Sequence, residues 1–122
     1  MNARQKADAE EQRLELFRAV NWTCPVCGEP LAKQGTAQLA HRVPRRESML
    51  MKWGSGVINS PLNMVPVDSL KCNALVSLGT VGNDYMALLE RIVRIQTGRE
   101  AMPDMAEFYS DLRAEFAERR NT

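Results

Sequence analysis

The hydrophobic positions of this chain follow a helical spacing near both ends and short alternating runs in the middle. Residues 3–20 are strong helix formers whose apolar positions are confined to the last two turns, so we expect the early turns to be solvated. Asn21 is predicted to end this helix, because asparagine tolerates the left-handed backbone conformation found at helix ends. The apolar positions are Leu14, Leu16, Phe17 and Val20.

Two more helices are predicted towards the C-terminus. The first begins at Asn83 or Asp84 and ends before Gly98. The second is opened by Pro103, whose missing amide costs least in the first helical turn. Each helix carries one apolar stripe, and we expect the two stripes to pack together. The residues at helical spacing are Tyr85, Leu88, Leu89, Ile92 and the polar Gln96 in the first helix, and Met105, Phe108, Tyr109, Leu112 and Phe116 in the second.

The middle of the chain begins with an irregular segment. Residues 22–31 are predicted to form a tight knuckle, because proline and glycine let the backbone fold around two cysteines. Gly35 and Thr36 mark a turn. A short strand is predicted over residues 38–43, and Pro44 limits its extension by removing a backbone hydrogen-bond donor.

A second set of short elements follows this strand. A brief helix is predicted over residues 47–53 and is closed by Gly54. A second strand is predicted over residues 63–67, and Asp68 can cap a helix that runs to Gly79. The connection between the brief helix and the second strand is predicted to be irregular, from its residues Gly56, Asn59, Ser60 and Pro61.

Length and composition predict one small α+β domain. The chain has 122 residues, of which 44% are hydrophobic and 25% charged, with a formal net charge of +1. The domain is divided into an N-terminal helix (1–21), a core (22–79) and a C-terminal helical extension (83–120). No apolar run approaches the about 20 residues of a membrane helix, and the charged N-terminus lacks a signal-peptide core. We therefore expect a cytoplasmic protein with no membrane partner.

The cysteines predict a metal site. Three cysteines cannot all pair within one chain, and Cys24 and Cys27 have the Cys-x-x-Cys spacing typical of metal ligation. Cys72 is the third candidate ligand. A reducing compartment suits this pattern better than a disulfide framework does. Reduced structural thiols are the alternative reading.

The single histidine, His41, is the one imidazole that could accept a proton near neutral pH. A basic run follows it, and this run could attract a polyanion or simply form a solvated face. Within that run, Met49, Met51 and Trp53 are expected to cover the core rather than to stack on nucleic acid. The basic residues are Arg42, Arg45, Arg46 and Lys52, against one acidic residue, Glu47.

Taken in order, four motifs resemble the HNH family of His-Me finger endonucleases. They are Cys-x-x-Cys, Ala-His-Arg-Val-Pro, Pro-Leu-Asn-Met-Val-Pro-Val and Lys-Cys-Asn, and the resemblance spans roughly residues 22–79. It implies a ββα-metal core with a zinc knuckle, flanked by an N-terminal helix and two C-terminal helices. The implied activity is divalent-metal-dependent hydrolysis of DNA. Small members of this family are often phage proteins, which implies bacterial or phage-infected host cytoplasm.

The resemblance also assigns roles to individual residues. His41 would be the general base, Asn63 would tie the hairpin together, and Asn73 would bind the catalytic Mg²⁺ or Mn²⁺ through a hard amide oxygen. Three further residues, Cys24, Cys27 and Cys72, would bind structural zinc. The residues that would hold DNA phosphates are Arg42, Arg45, Arg46 and Lys52.

Two positions depart from the family pattern. Many members carry a metal ligand directly before the catalytic histidine, whereas this chain has Ala40 there, which is expected to weaken metal binding. Structural zinc takes four ligands, and the position of a fourth cysteine holds Asp68. A carboxylate oxygen can bind zinc, but Asp68 could instead cap the following helix.

These alternatives leave three functions open. The first is a DNA endonuclease. The second is a nuclease-derived binding module that keeps the scaffold and the arginines but has lost cleavage. The third is a protein-interaction domain, which would bind nucleic acid weakly and with little dependence on salt. The amphipathic helices could also form a homodimer.

Overall fold

Helices dominate the described part of the chain, with two short strands between them. The computed structural model describes residues 2–31 and 37–120, without the side chain of Arg120, so the expected turn at Gly35 and Thr36 lies outside the described residues. This mixture of elements confirms the predicted α+β class. In chain order the elements are α1 (Ala3–Ala19), β1 (Gln38–His41), α2 (Glu47–Trp53), α3 (Ser55–Ile58), a 3₁₀ turn (Pro61–Asn63), β2 (Met64–Val67), α4 (Leu70–Val76), α5 (Asp84–Gln96) and α6 (Met105–Arg120).

The two strands form an antiparallel pair. Its register runs from Gln38 opposite Val67 to His41 opposite Met64. β1 ends at His41, two residues before the predicted end at residue 43. The backbone N–H of Arg42 still donates to the carbonyl of Asn63 at 2.8 Å. α4 follows β2 directly and packs against both strands. One helix therefore covers a two-stranded sheet.

Buried side chains form two hydrophobic clusters. The first cluster joins α1, the cysteine knuckle, both strands, α4 and α6. The second joins α2, α3, the 3₁₀ turn and α5. Ala40 belongs to the first cluster and Val43 to the second, so His41 lies between the two clusters along the chain.

Polar contacts fasten α6 to the sheet and to α4. The buried hydroxyl of Tyr109 donates to the carbonyl of Met64 in β2 at 2.8 Å. Burial raises the pKa of Tyr109 well above its usual value, so this hydroxyl stays protonated and can donate. The guanidinium of Arg119 donates to the carbonyl of Leu75 in the last turn of α4 at 3.0 Å. The C-terminal helix is thus part of the scaffold of the sheet.

Several predicted helix ends are confirmed. Asn21 follows α1 in the left-handed region with φ of 54°. Gly54 closes α2 with φ of 88°, a value that other residues rarely adopt. α5 begins at Asp84 and ends before Gly98, as its pattern predicts. Local signals therefore fix these boundaries.

Three other local predictions are wrong. Ser69, and not Asp68, caps α4, with its hydroxyl accepting from the N–H of Cys72 at 3.3 Å. Both residue types cap helices well, and the register of α4 decides between them. Pro103 lies before α6 rather than in its first turn. At the start of α6 the side chain of Asp104 accepts from the N–H of Glu107 at 3.0 Å. The predicted irregular connection contains α3 and the 3₁₀ turn.

The expectation that the stripes of α5 and α6 pack together is also wrong for most of their length. Leu89 and Ile92 of α5 lie in the second cluster, whereas Tyr109, Leu112 and Phe116 of α6 lie in the first. The two clusters meet at the start of α6, where Met105 and Phe108 contact both. Within residues 2–31 and 37–120, no helix has the length and apolar character needed to cross a membrane.

Candidate metal centre and histidine site

The three cysteines converge on one point. The Sγ atoms of Cys24, Cys27 and Cys72 all lie within 4.8 Å of one another. Three thiolates around one tetrahedral zinc ion lie about 3.8 Å apart, given Zn–S bonds of about 2.3 Å. Cys24 and Cys72 are buried and Cys27 is half-buried. The cluster could therefore hold a metal ion such as zinc, as the spacing of the cysteines predicts.

The local backbone explains why two of these thiols face each other. The N–H of Cys24 donates to the carbonyl of Glu29, and the N–H of Gly28 donates to the carbonyl of Cys24, both at 2.9 Å. Thr23 and Pro30 form an isolated antiparallel bridge around this turn. Gly28 has φ of 81°, which lets the chain reverse directly after the second cysteine. The predicted knuckle is confirmed.

The thiol of Cys27 holds its proton more tightly than a free thiol does. Burial, and then the thiols of Cys24 and Cys72, raise the pKa of the Cys27 thiol to about 12, against the lowering effect of a backbone hydrogen bond at Glu29. Without a cation, this thiol is therefore protonated at neutral pH. A bound divalent ion would displace the proton, so metal affinity should weaken as the pH falls.

Asp68 lies close to the cluster without being a member of it. It lines the same surface depression as Cys27 and Cys72. Its carboxylate is not among the ligand atoms that lie within 4.8 Å of one another in the described chain. Because Ser69 caps α4, the carboxylate of Asp68 is not used as the helix cap.

His41 lies at the end of β1 and is half-buried. Its ring nitrogen Nε2 lies 3.0 Å from the side-chain oxygen Oδ1 of Asn59, which follows α3. The ring is thus tied to the connection between the strands, and not to α4. Asn59 appeared in the sequence only as a signal for an irregular connection.

Asn63 braces the two segments on either side of this histidine site. Its side-chain oxygen accepts from the N–H of Val43 at 2.8 Å, and its side-chain nitrogen donates to the carbonyls of Val43 at 3.1 Å and Ile58 at 2.7 Å. The residue is fully buried, with 0% of its surface exposed. One amide therefore holds the chain just after His41 against the chain just before Asn59.

We expect Asn63→Ala to lower the free energy of unfolding by about 3 kcal/mol, because it leaves up to three buried backbone groups without a partner. Urea denaturation followed by circular dichroism measures this loss. Asn63→Asp would bury a carboxylate against the carbonyls of Val43 and Ile58, so at neutral pH it should lose at least as much stability as Asn63→Ala. Asn73→Ala is a matched control that removes a half-buried amide. An equal loss of stability in that variant would contradict the role of Asn63 in holding the two segments together.

Asn73 lies at the other end of β1 from His41. Its side-chain nitrogen donates to the side-chain oxygen of Gln38 at 2.6 Å. This bond leaves the side-chain oxygen of Asn73 free of protein hydrogen bonds within the described residues. Gln38 and His41 are three residues apart, or about 10 Å along an extended strand, and alternate strand residues face opposite sides. The structure thus gives His41 and Asn73 separate partners and no shared hydrogen bond.

Arg42 differs from the role that the resemblance implies. Its side chain is 5% exposed, forms an ion pair with Glu115 of α6, and donates to the carbonyl of Val76 at 3.3 Å. Its guanidinium also lies 5.4 Å from the centre of the Phe116 ring. Burial lowers the pKa of Arg42, and the Glu115 carboxylate opposes that shift. Arg42 is therefore held by α6 and α4, and its guanidinium is not presented on the surface for DNA phosphates.

The other basic residues of the run are exposed. Arg45, Arg46 and Lys52 lie on the surface around α2. Met49 and Trp53 pack against the second cluster as expected, but Met51 is 80% exposed. The outer surface of this segment therefore presents three cations and one large apolar side chain.

A comparison with known proteins finds no matching family, no matching curated protein and no matching solved structure. The fold and the site define a small α+β protein with a three-cysteine cluster that could hold a metal ion.

Proposed function

We propose that this protein is a divalent-metal-dependent DNA endonuclease in which His41 is the general base. The observation that carries the proposal is the placement of His41 at the end of an antiparallel strand pair that is covered by α4. The order strand, strand, helix matches the ββα part of the core that the resemblance to the HNH family implies, and the metal part is proposed. Phosphodiester hydrolysis needs a base for the attacking water and a cation for the charge that grows on phosphate.

Asn73 is the proposed ligand of the catalytic cation. Its amide nitrogen is engaged by Gln38, so its oxygen is the atom left to bind a hard ion such as Mg²⁺ or Mn²⁺. Such ions keep several waters and borrow few protein ligands, so a site with few protein ligands can still hold one.

The cysteine cluster is the proposed structural zinc site. Cys24 and Cys27 come from the knuckle and Cys72 comes from α4, so one ion would join the knuckle to the helix that covers the sheet. Asp68 is the proposed fourth ligand, since it lines the same depression and is not needed as a helix cap. Its carboxylate would swing towards the ion on binding.

The surface around α2 is the proposed DNA contact. Arg45, Arg46 and Lys52 are exposed and follow His41 closely in the chain. Guanidinium groups can pair with phosphate oxygens in a bidentate manner, and such contacts position DNA without reading its sequence. The exposed Met51 lies on the same helix and could contact bases or sugars.

We expect Arg45→Ala and Arg46→Ala each to weaken DNA binding several-fold and to lower the slope of log affinity against log salt by about 1. Fluorescence anisotropy with a labelled duplex at several salt concentrations measures both effects. Arg4→Ala is the matched control, because Arg4 is an exposed arginine on α1. Equal losses in all three variants would contradict a DNA surface at α2.

The alternative is a nuclease-derived module that binds DNA, or another protein, without cutting DNA. Two observations favour it. Ala40 is fully buried in the first cluster and supplies no metal ligand, and Arg42 is committed to Glu115. For efficient cleavage, other groups would have to supply the metal ligand that Ala40 lacks and the phosphate contact that Arg42 does not make.

Incubation of supercoiled plasmid with the zinc-loaded protein and Mg²⁺ or Mn²⁺ separates these functions. Conversion to open-circular plasmid supports the endonuclease. Intact plasmid with salt-sensitive retardation on a gel supports the DNA-binding module, and intact plasmid without retardation supports a protein-interaction domain.

A further inference from the structure

We infer that Asn59 is a positioning residue for His41, and that it leaves Nδ1 of the ring as the nitrogen that takes a proton. The inference rests on the proposed function, in which His41 is the general base. The ring nitrogen Nε2 lies 3.0 Å from the side-chain oxygen of Asn59, and both side chains are half-buried.

The chemistry of the two groups fixes the direction of this bond. An amide oxygen can only accept, so the ring nitrogen that faces it must carry the proton. A neutral imidazole has one N–H, and the other nitrogen then holds the lone pair. Within residues 2–31 and 37–120, no protein group hydrogen-bonds to Nδ1 of His41. Nδ1 is therefore the nitrogen able to accept a proton from water.

The surrounding contacts hold Asn59 in place. Its backbone N–H donates to the carbonyl of Ser55 at 2.8 Å, and the preceding Ile58 is fully buried. The carbonyl of Ile58 accepts from Asn63, which also bonds to Val43, two residues after His41. One buried amide thus sets the separation between the segment that carries His41 and the segment that carries Asn59.

A hydrogen bond from α5 also holds α3. The side chain of Gln96 in α5 donates to the carbonyl of Gly56 at 2.9 Å. α3 has only four residues, too few to be stable by itself, so these hydrogen bonds and the burial of Val57 and Ile58 in the second cluster keep it in position. Asn59 can therefore orient the ring of His41 because its own backbone is held.

Nuclear magnetic resonance of the imidazole tests the bond without any need for activity. The chain has one histidine, so protein labelled with ¹⁵N-histidine gives a single pair of ring nitrogens. With the ring neutral, we expect the parent protein to show only the tautomer with N–H at Nε2. Asn59→Ala should shift the nitrogens towards a mixture of tautomers. A mixture in the parent, or an unchanged tautomer in the variant, would overturn the inference.

Cleavage kinetics test the consequence for catalysis. We expect Asn59→Ala to lower kcat about 10- to 100-fold, as removal of a residue that orients a functional histidine does, with KM for DNA unchanged. Asn59→Asp keeps an oxygen that can accept the bond and should restore kcat to within several-fold of the parent.

Gln96→Ala is the matched control, because it also removes an amide that holds α3 but does not touch His41. An equal loss of kcat in Gln96→Ala, or no recovery in Asn59→Asp, would overturn a positioning role. If the parent protein cuts no DNA, the proposed function fails, and the tautomer measurement still decides whether Asn59 orients the ring.

Discussion

Cys72→Ser is expected to release bound zinc and to unfold the protein. The thiol of Cys72 is buried in the first cluster and is the contribution of α4 to the metal site. Apparent binding free energies of structural zinc are about 10 kcal/mol or more, comparable with the whole stability of a small domain. Losing one of the cysteine ligands therefore removes a large share of the folding free energy.

Metal analysis and thermal unfolding of the purified variant measure these effects. The parent protein should hold about one equivalent of zinc and unfold when a strong chelator removes it. Ala74→Ser is the matched control, because it places a serine at an exposed position of α4 outside the cluster. A zinc-free parent that unfolds at the same temperature as the zinc-loaded protein would contradict a structural metal.

Asp68→Ala decides whether the fourth ligand is a carboxylate. We expect this variant to bind zinc more weakly and to unfold at a lower temperature than the parent, but to be less affected than Cys72→Ser. If it binds zinc as tightly as the parent, the fourth ligand is another group or water.

His41→Ala is expected to lower the rate of DNA cleavage by about 10²- to 10⁴-fold, the range that general-base catalysis contributes. The chain has no second histidine that could replace the lost base. The remaining rate would come from the cation and from the positioning of DNA. DNA affinity should change little, because the proposed phosphate contacts are Arg45, Arg46 and Lys52.

The elements with strong local signals could be predicted from the sequence. Asn21 and Gly54 end their helices because of backbone conformations that few residues adopt. The convergence of Cys24 and Cys27 follows from their spacing and from the turn at Gly28. In each case the physical cause lies within a few residues of the feature.

The contacts that decide the site could not be predicted, because they join distant parts of the chain. Arg42 and Glu115 are separated by 73 positions, so no local sequence signal predicts the burial of Arg42 against α6. The bond between His41 and Asn59 spans 18 positions and depends on the position of α3. The two hydrophobic clusters likewise separate α5 from most of α6 in a way that their similar stripes do not reveal.

If His41 is the base in metal-dependent cleavage of DNA, nicking must depend on both this side chain and Mg²⁺. The most direct test is the rate of plasmid nicking in Mg²⁺ by the zinc-loaded parent and by zinc-loaded His41→Ala, at protein concentrations that saturate the DNA. We expect nicking by the parent that stops when Mg²⁺ is withheld, and a rate at least about 100-fold lower in the variant. Equal rates in the two proteins, or an intact plasmid in both, would contradict it.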